Sequence, residues 1–270
     1  MCGICGVLNL NGAPVARSVL KAMTDSIAHR GPDGEGHFAQ SGVGLGHRRL
    51  AIIDLTEAAA QPMTTPDGRF VISYNGEVYN FPELRRDLEA VGRVFVSRSD
   101  TEVVLAAFAE WGIAALNRFN GMFAFAIWDN ETRELLLARD RYGIKPLYYA
   151  HIGNTLLFAS EIKAFLAHPA FRAELNAEAL IEYFTFQNLF TDSSLFKGVR
   201  ILPAGCTLKA GREVGPAIRY WDYAFAEPED QATEADTRAE LDHLFSAAVD
   251  RQLVGDVPIG AYLSGGVDSG

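Results

Sequence analysis

Apolar residues fill positions 2–10 almost without a break and then meet Asn11–Gly12, the pattern of a buried strand entering a turn. Leu20, Met23 and Ile27 recur at helical spacing and predict a short amphipathic helix. It ends before the breaker-rich loop Arg30, Gly31, Pro32, Asp33, Gly34. Residues 43–55 read as a strand or hairpin arm with Arg48 and Arg49 in its middle. Residues 70–74 read as a strand, and Asn75–Gly76 is a hairpin dipeptide, so the chain is expected to reverse there and return from Val78–Tyr79. Pro82 suits the first turn of a helix over 83–91, and a second helix over 100–111 stops at Gly112. Strands over 122–128, 134–138, 147–150 and 155–159, separated by turn residues, suggest an antiparallel meander. Helices follow at 161–167 and 177–184, the latter with Asn176 as N-cap.

The pattern then changes. Residues 216–231 are aromatic, acidic and proline-containing with no sustained period, which reads as a link between domains. Beyond it, 233–253 predicts a long amphipathic helix with Leu241, Leu244, Ala248 and Leu253 on one side, and 257–263 a strand running into Ser-Gly-Gly-Val-Asp-Ser at 264–269. A strand feeding a glycine-rich loop belongs to phosphate-binding α/β architecture. The reading is therefore an α+β domain over 1–215, a linker over 216–232, and the beginning of an α/β domain over 233–270.

Composition narrows the function classes. The 270-residue chain is 49% hydrophobic and 21% charged, as in ordinary globular proteins. Its 24 basic against 34 acidic residues leave a net charge of −10, which argues against nucleic acid or an anionic membrane as the main partner. The apolar runs 103–109 and 122–128 are far too short to span a bilayer. No basic leader precedes an apolar core, so no signal peptide is expected. Cys2, Cys5 and Cys206 cannot all pair internally, which points to a reducing, cytoplasmic compartment.

The candidate chemistry centres on Cys2. Once Met1 is trimmed, one residue carries both a thiol nucleophile and an α-amine of pKa about 8 that can take its proton. Cys2 and Cys5 also form a C-x-x-C pair, but no second pair or histidine cluster accompanies it, and it lies in a strand rather than at a helix N-terminus. Asn75–Gly76 reads either as a turn or as an oxyanion hole made of a side-chain amide and a backbone N–H. Asp100 reads either as part of a Ser99–Glu102 capping box or as the partner of a substrate ammonium. Arg49 is equally a solvated strand residue or a fork for a carboxylate. Gly42, Gly44 and Gly46 lack the context of a dinucleotide site, and neither a Walker A sequence nor H-E-x-x-H occurs.

Taken together, MCGICG (1–6), HRGPD (29–33), GHRRLAIID (46–54), YNGEVYN (74–80), SDTEV (99–103), GMFAFAIWD (121–129), RDRYGIKPLYY (139–149) and SGGVDS (264–269) resemble the glutamine-hydrolysing asparagine synthetase family over essentially the whole chain. The resemblance implies an N-terminal-nucleophile hydrolase αββα sandwich, a class II glutamine amidotransferase, followed by the start of an ATP-pyrophosphatase domain (adenine nucleotide α-hydrolase-like). It implies that Cys2 attacks the glutamine amide and that Asn75 and Gly76 form the oxyanion hole. Arg49 would pair with the glutamine carboxylate, Asp100 and Glu77 would hold its α-amino group, and backbone near Ile53 would line the pocket. By the same likeness Ser264, Gly265, Gly266, Val267, Asp268 and Ser269 would bind ATP pyrophosphate with Mg²⁺, Leu263 lying near the adenine, and the acceptor would be aspartate. A homodimer is a further expectation. Relatives of this layout amidate other carboxylates, so the acceptor stays open, and a catalytically silent module of the same fold is the alternative from another class.

Overall fold

Strand β1 (Gly3–Asn9) is apolar at successive positions because both its faces are covered. Ile4 and Leu8 point into a core shared with a second sheet, while Cys5 and Val7 point into a core shared with helix α1 (Arg17–Ser26). The computed structural model describes residues 1–225 and 233–267.

β1 lies inside a six-stranded antiparallel sheet. On one side it pairs with β3 (Val43–Arg49), which pairs with β2 (Gly34–Gln40); on the other it pairs with β9 (Thr155–Ala159), then β8 (Tyr148–Ile152) and β10 (Val199–Ile201). The second sheet begins at β4 (Met63–Thr64), β5 (Phe70–Val78) and β6 (Gly121–Asp129). It continues through β7 (Glu134–Arg139), β11 (Cys206–Ala210) and β12 (Val214–Arg219).

Inner-face residues of both sheets, among them Leu45, Phe158, Ala126, Trp128 and Leu137, form the core between them. Met23 of α1 and Ile27 just after it, with Phe165 from the 3₁₀ turn Ile162–Ala167, cover the outer face of the first sheet. Helices α2 (Phe81–Ala90) and α3 (Asp100–Trp111) cover the second, packing Leu84, Leu88, Val103 and Val104 on Ile72, Tyr74 and Phe125. The layers are helix, sheet, sheet, helix, as the family resemblance implies. Helix α4 (Ala177–Phe186) starts at Asn176, whose side chain accepts from the Ala179 N–H; α5 (Glu234–Gln252) starts in a Thr233–Asp236 capping box.

Several sequence expectations are corrected. β5 runs unbroken through Asn75 and Gly76, which pair with Ala124 and Phe123 of β6. A full antiparallel ladder outweighs the local turn preference of that dipeptide. Arg48 and Arg49 end β3 rather than occupying its middle. The meander is split, because β6–β7 and β8–β9 are hairpins of different sheets. Ser99 caps α3 through the Thr101 N–H, but Glu102 bonds Val96 and Ser97 instead of closing a capping box. Residues 216–219, expected in the link, complete β12; residues 226–232 of that link lie outside the described residues. Residues 257–263 form no strand; among the described residues no neighbouring strand offers them a ladder.

Candidate active site

Cys2 enters β1 at the edge of the inter-sheet layer, and its surroundings come from both sheets and the loops between them. Its Sγ accepts from the Leu50 N–H at 3.4 Å and points back toward the Leu50 carbonyl at 3.6 Å. Its carbonyl accepts from Arg30 Nε at 2.9 Å. Arg30 is held in turn by Glu161 at 3.0 Å, a carboxylate that also receives His29 at 2.9 Å and Lys163 at 3.2 Å. Burial pushes the Cys2 thiol up, while the Leu50 N–H and the amino terminus pull it back. Burial lowers the amino group of Met1, and Arg30 and Lys145 lower it further, against the opposing pull of Cys2.

Asn75 and Gly76 come from β5, where alternation decides their directions. Phe123, directly opposite Gly76, spends its N–H and carbonyl on Asp140 at 3.1 and 2.8 Å, on the β7 side. Gly76 therefore sits in a non-hydrogen-bonded pair, and its N–H points away from β6 toward the far edge. On that edge the N–H groups two residues to either side, of Tyr74 and Val78, are bonded to Gln61 at 2.7 Å and Asp100 at 3.0 Å. The N–H of Gly76 lies between them, facing the pocket. No side chain fits at this position, since a Cβ would come within 2.5 Å of the Met122 carbonyl. Asn75 is 1% exposed, and among the described residues its Nδ2 has no hydrogen-bond partner. A buried amide donor left unpaired costs on the order of 1–3 kcal/mol and is normally filled by a ligand or water.

Arg49, at the end of β3, donates to the carbonyls of Thr56 (2.8 Å) and Asp54, so it shapes the loop that carries Ile52 and Ile53 along the pocket wall. Asp256, from the segment after α5, closes over this loop: its carboxylate accepts from the Asp54 N–H at 2.8 Å and its own N–H bonds the Ile52 carbonyl at 2.8 Å. Asp100 is 4% exposed and accepts from Tyr74 Oη at 2.8 Å as well as from Val78. Burial nevertheless raises its carboxyl above the ordinary range. Glu77 is raised as well, by burial and by Asp100.

One pocket, partly open to solvent, is lined by Cys2, Arg49, Ile53, Asn75, Gly76, Glu77 and Asp100 together. These residues lie far apart in sequence. Two further residues of this wall were not singled out from the sequence: Gln61, which bridges the Tyr74 N–H and Thr101, and Lys145. Lys145 lies inside the conspicuous stretch 139–149, but no periodicity marks it. Cys5 is wholly buried on the helix side of β1.

The described C-terminal candidates, residues 263–267, do not line this pocket. Leu263 is 79% exposed and Val267 fully so, while Asp268 and Ser269 lie outside the described residues. A Cβ built on Gly265 meets nothing within 4 Å, so the described loop is open backbone rather than a cradle shaped to a nucleotide. Among the described residues no group of three or more acidic, histidine or cysteine side chains could hold a metal ion. The described residues of this segment do not by themselves form a site for ATP or Mg²⁺.

Residues 1–221 match the glutamine amidotransferase domain family, and residues 240–270 match asparagine synthase. The whole chain is 40% identical to asparagine synthetase [glutamine-hydrolyzing] 3 of Bacillus subtilis and covers 44% of that protein. It is 36% identical, again over its whole length, to amidase chyE of Penicillium rubens, covering 41%. The chain thus spans less than half the length of these relatives. Among solved structures, glutamine phosphoribosylpyrophosphate amidotransferase of B. subtilis superposes with a TM-score of 0.60 at 21% identity, over 82% of this chain and 49% of that one. That likeness concerns the fold.

Proposed function

The chain belongs to the glutamine amidotransferase family, and on that footing we propose that it is the glutamine-hydrolysing part of an asparagine synthetase, with Cys2 as its nucleophile. The observation that carries this reading is the unpaired, buried amide of Asn75 in the pocket that Cys2 also lines. With Met1 removed, the free amine of Cys2 takes the thiol proton as Sγ attacks the carboxamide carbon of glutamine. The oxyanion that develops is met by Asn75 Nδ2–H and the Gly76 N–H. The amine returns the proton to the departing nitrogen, ammonia leaves, and a thioester remains. Water then attacks the thioester as the amine takes its proton, the departing sulfur recovers that proton from the amine, and glutamate is released.

The rest of the pocket suits a zwitterion. Arg49 supplies the cation for the α-carboxylate, and Asp100 with Glu77 supplies the anionic side for the α-ammonium. Backbone around Ile53 closes the wall. The released ammonia would aminate an aspartate activated by ATP in the complete protein. Residues 263–269 would contribute to that nucleotide site only with groups supplied by the remainder of such a domain. A catalytic thiol also suits the cytoplasm, where it stays reduced.

The test is direct. Cys2→Ala should abolish glutamine hydrolysis while the full-length protein keeps ammonia-dependent synthesis; retained glutaminase activity would refute the assignment. A second reading, the same amidotransferase half serving an enzyme whose other substrate is not aspartate, is favoured by the match, over the whole of this chain, to a relative named as an amidase. Measuring ATP turnover of the full-length protein with aspartate and with other acids separates the two.

A further inference from the structure

Lys145 is only 7% exposed, yet its ammonium makes no hydrogen bond or ion pair among the described residues. Unlike the Asn75 amide, the ammonium is not wholly shielded and reaches the open side of the pocket, whereas a lysine kept only for packing could be replaced by an apolar side chain at no loss. Its backbone, by contrast, is tightly fixed. The Lys145 N–H donates to Asp140 Oδ2 at 3.0 Å, and its carbonyl accepts from Arg139 Nε at 2.8 Å. Asp140 is wholly buried and also gathers the N–H groups of Phe123, Tyr142 and Ile144 at 3.0–3.1 Å. The clamp is thus anchored to β6 at the residue opposite Gly76. It delivers the side chain to the wall that Cys2 and Glu77 share.

We propose that Lys145 is a positioning residue of the glutaminase site, a fixed positive charge that eases loss of the Cys2 thiol proton and keeps the α-amine free to take it. The inference rests on the reading of Cys2 as an N-terminal nucleophile. The charged groups around Lys145 are Glu77, Cys2, Arg30 and Asp140; Asp100 and Arg49 also face Cys2. Burial lowers the Lys145 ammonium, and Glu77 and Cys2 oppose that; Lys145 in turn lowers the amino group of Met1, the residue that precedes Cys2. An adjacent cation favours the thiolate and disfavours the ammonium, which is the charge pattern that attack requires.

The test is the rate of Cys2 alkylation by iodoacetamide against pH, read by mass spectrometry, with Cys2→Ala as blank. In Lys145→Met the acid limb should move up by about half a unit or more, roughly a three-fold slower reaction below it. Lys145→Gln gives the same readout should the methionine variant not fold. Lys145→Arg should restore the limb, and Glu77→Gln should move it down, since an anion rather than a cation is removed. The melting temperature of Lys145→Met should equal or exceed that of the parent. A limb unmoved in Lys145→Met, or displaced as far in Lys145→Arg, overturns the proposal. If Cys2 of the parent protein instead retains Met1, the glutaminase reading itself fails, an outcome distinct from failure of the Lys145 role.

Discussion

Asn75 shows how much a single side chain can say when its partner is missing. Its amide is buried and unpaired, so truncation removes no internal hydrogen bond. Asn75→Ala should therefore melt near the parent temperature while kcat for glutamine falls about 10²–10³-fold, as for loss of one oxyanion donor. Steady-state kinetics and a thermal melt check both halves. Asp100 behaves differently because it carries charge into the interior. Its folded carboxyl titrates above its unfolded value, so its favourable contribution is complete at low pH and is lost as pH rises through the raised value. Asp100→Asn should consequently be more stable than the parent at neutral pH while the KM for glutamine rises. Denaturant unfolding at acid and neutral pH, set beside the kinetics, tests this. Both residues were legible as candidates from residue type alone; whether they were turn and cap or pocket wall was not.

At the scale of the element, β5 is the instructive case. Asn-Gly is the strongest short-range hairpin signal, and the chain nevertheless passes straight through it, because β6 offers nine paired positions from Phe70–Asp129 to Val78–Gly121. Glycine is present for close approach rather than for a reversed turn. Gly76→Ala would place a Cβ within 2.5 Å of the Met122 carbonyl and pry the two strands apart beside the active site. A loss of about 1–3 kcal/mol in unfolding free energy, with glutaminase activity falling alongside, is expected from calorimetry and assay. The helices were easier to read. Asn176 and Gly112 mark ends that depend on local chemistry, and both function as such: Asn176 caps α4, and Gly112 adopts φ 57° after α3. β2 escaped notice because its residues alternate between half-buried and exposed at a sheet edge, with no apolar run to announce it.

The whole molecule adds a link that no segment could disclose. His47 of β3 bonds the Tyr74 carbonyl of β5 at 3.1 Å, and Ser73 bonds the Gly46 carbonyl at 3.0 Å, so two polar ties cross between the sheets just behind the site. Burial drops the His47 imidazole to about 3, which means that it folds neutral. Its stabilising contribution is present above the unfolded histidine value of about 6.5 and is lost as pH falls toward the folded value. Between pH 6.5 and 5, before most carboxylates titrate, unfolding free energy should decline with acid, and His47→Asn should flatten that slope; urea titrations at several pH values decide it. What the sequence alone determined here was the roster: periodicity, caps and residue types act over a few neighbours, and they named most of the helices, most of the strands and the cast of the site. Tertiary structure decided which strands share a sheet, that Asn75 and Gly76 continue a ladder, and that Gln61 and Lys145 join the pocket. Those outcomes depend on contacts between residues many tens of positions apart, whose free energies exceed local preferences yet leave no trace in local pattern.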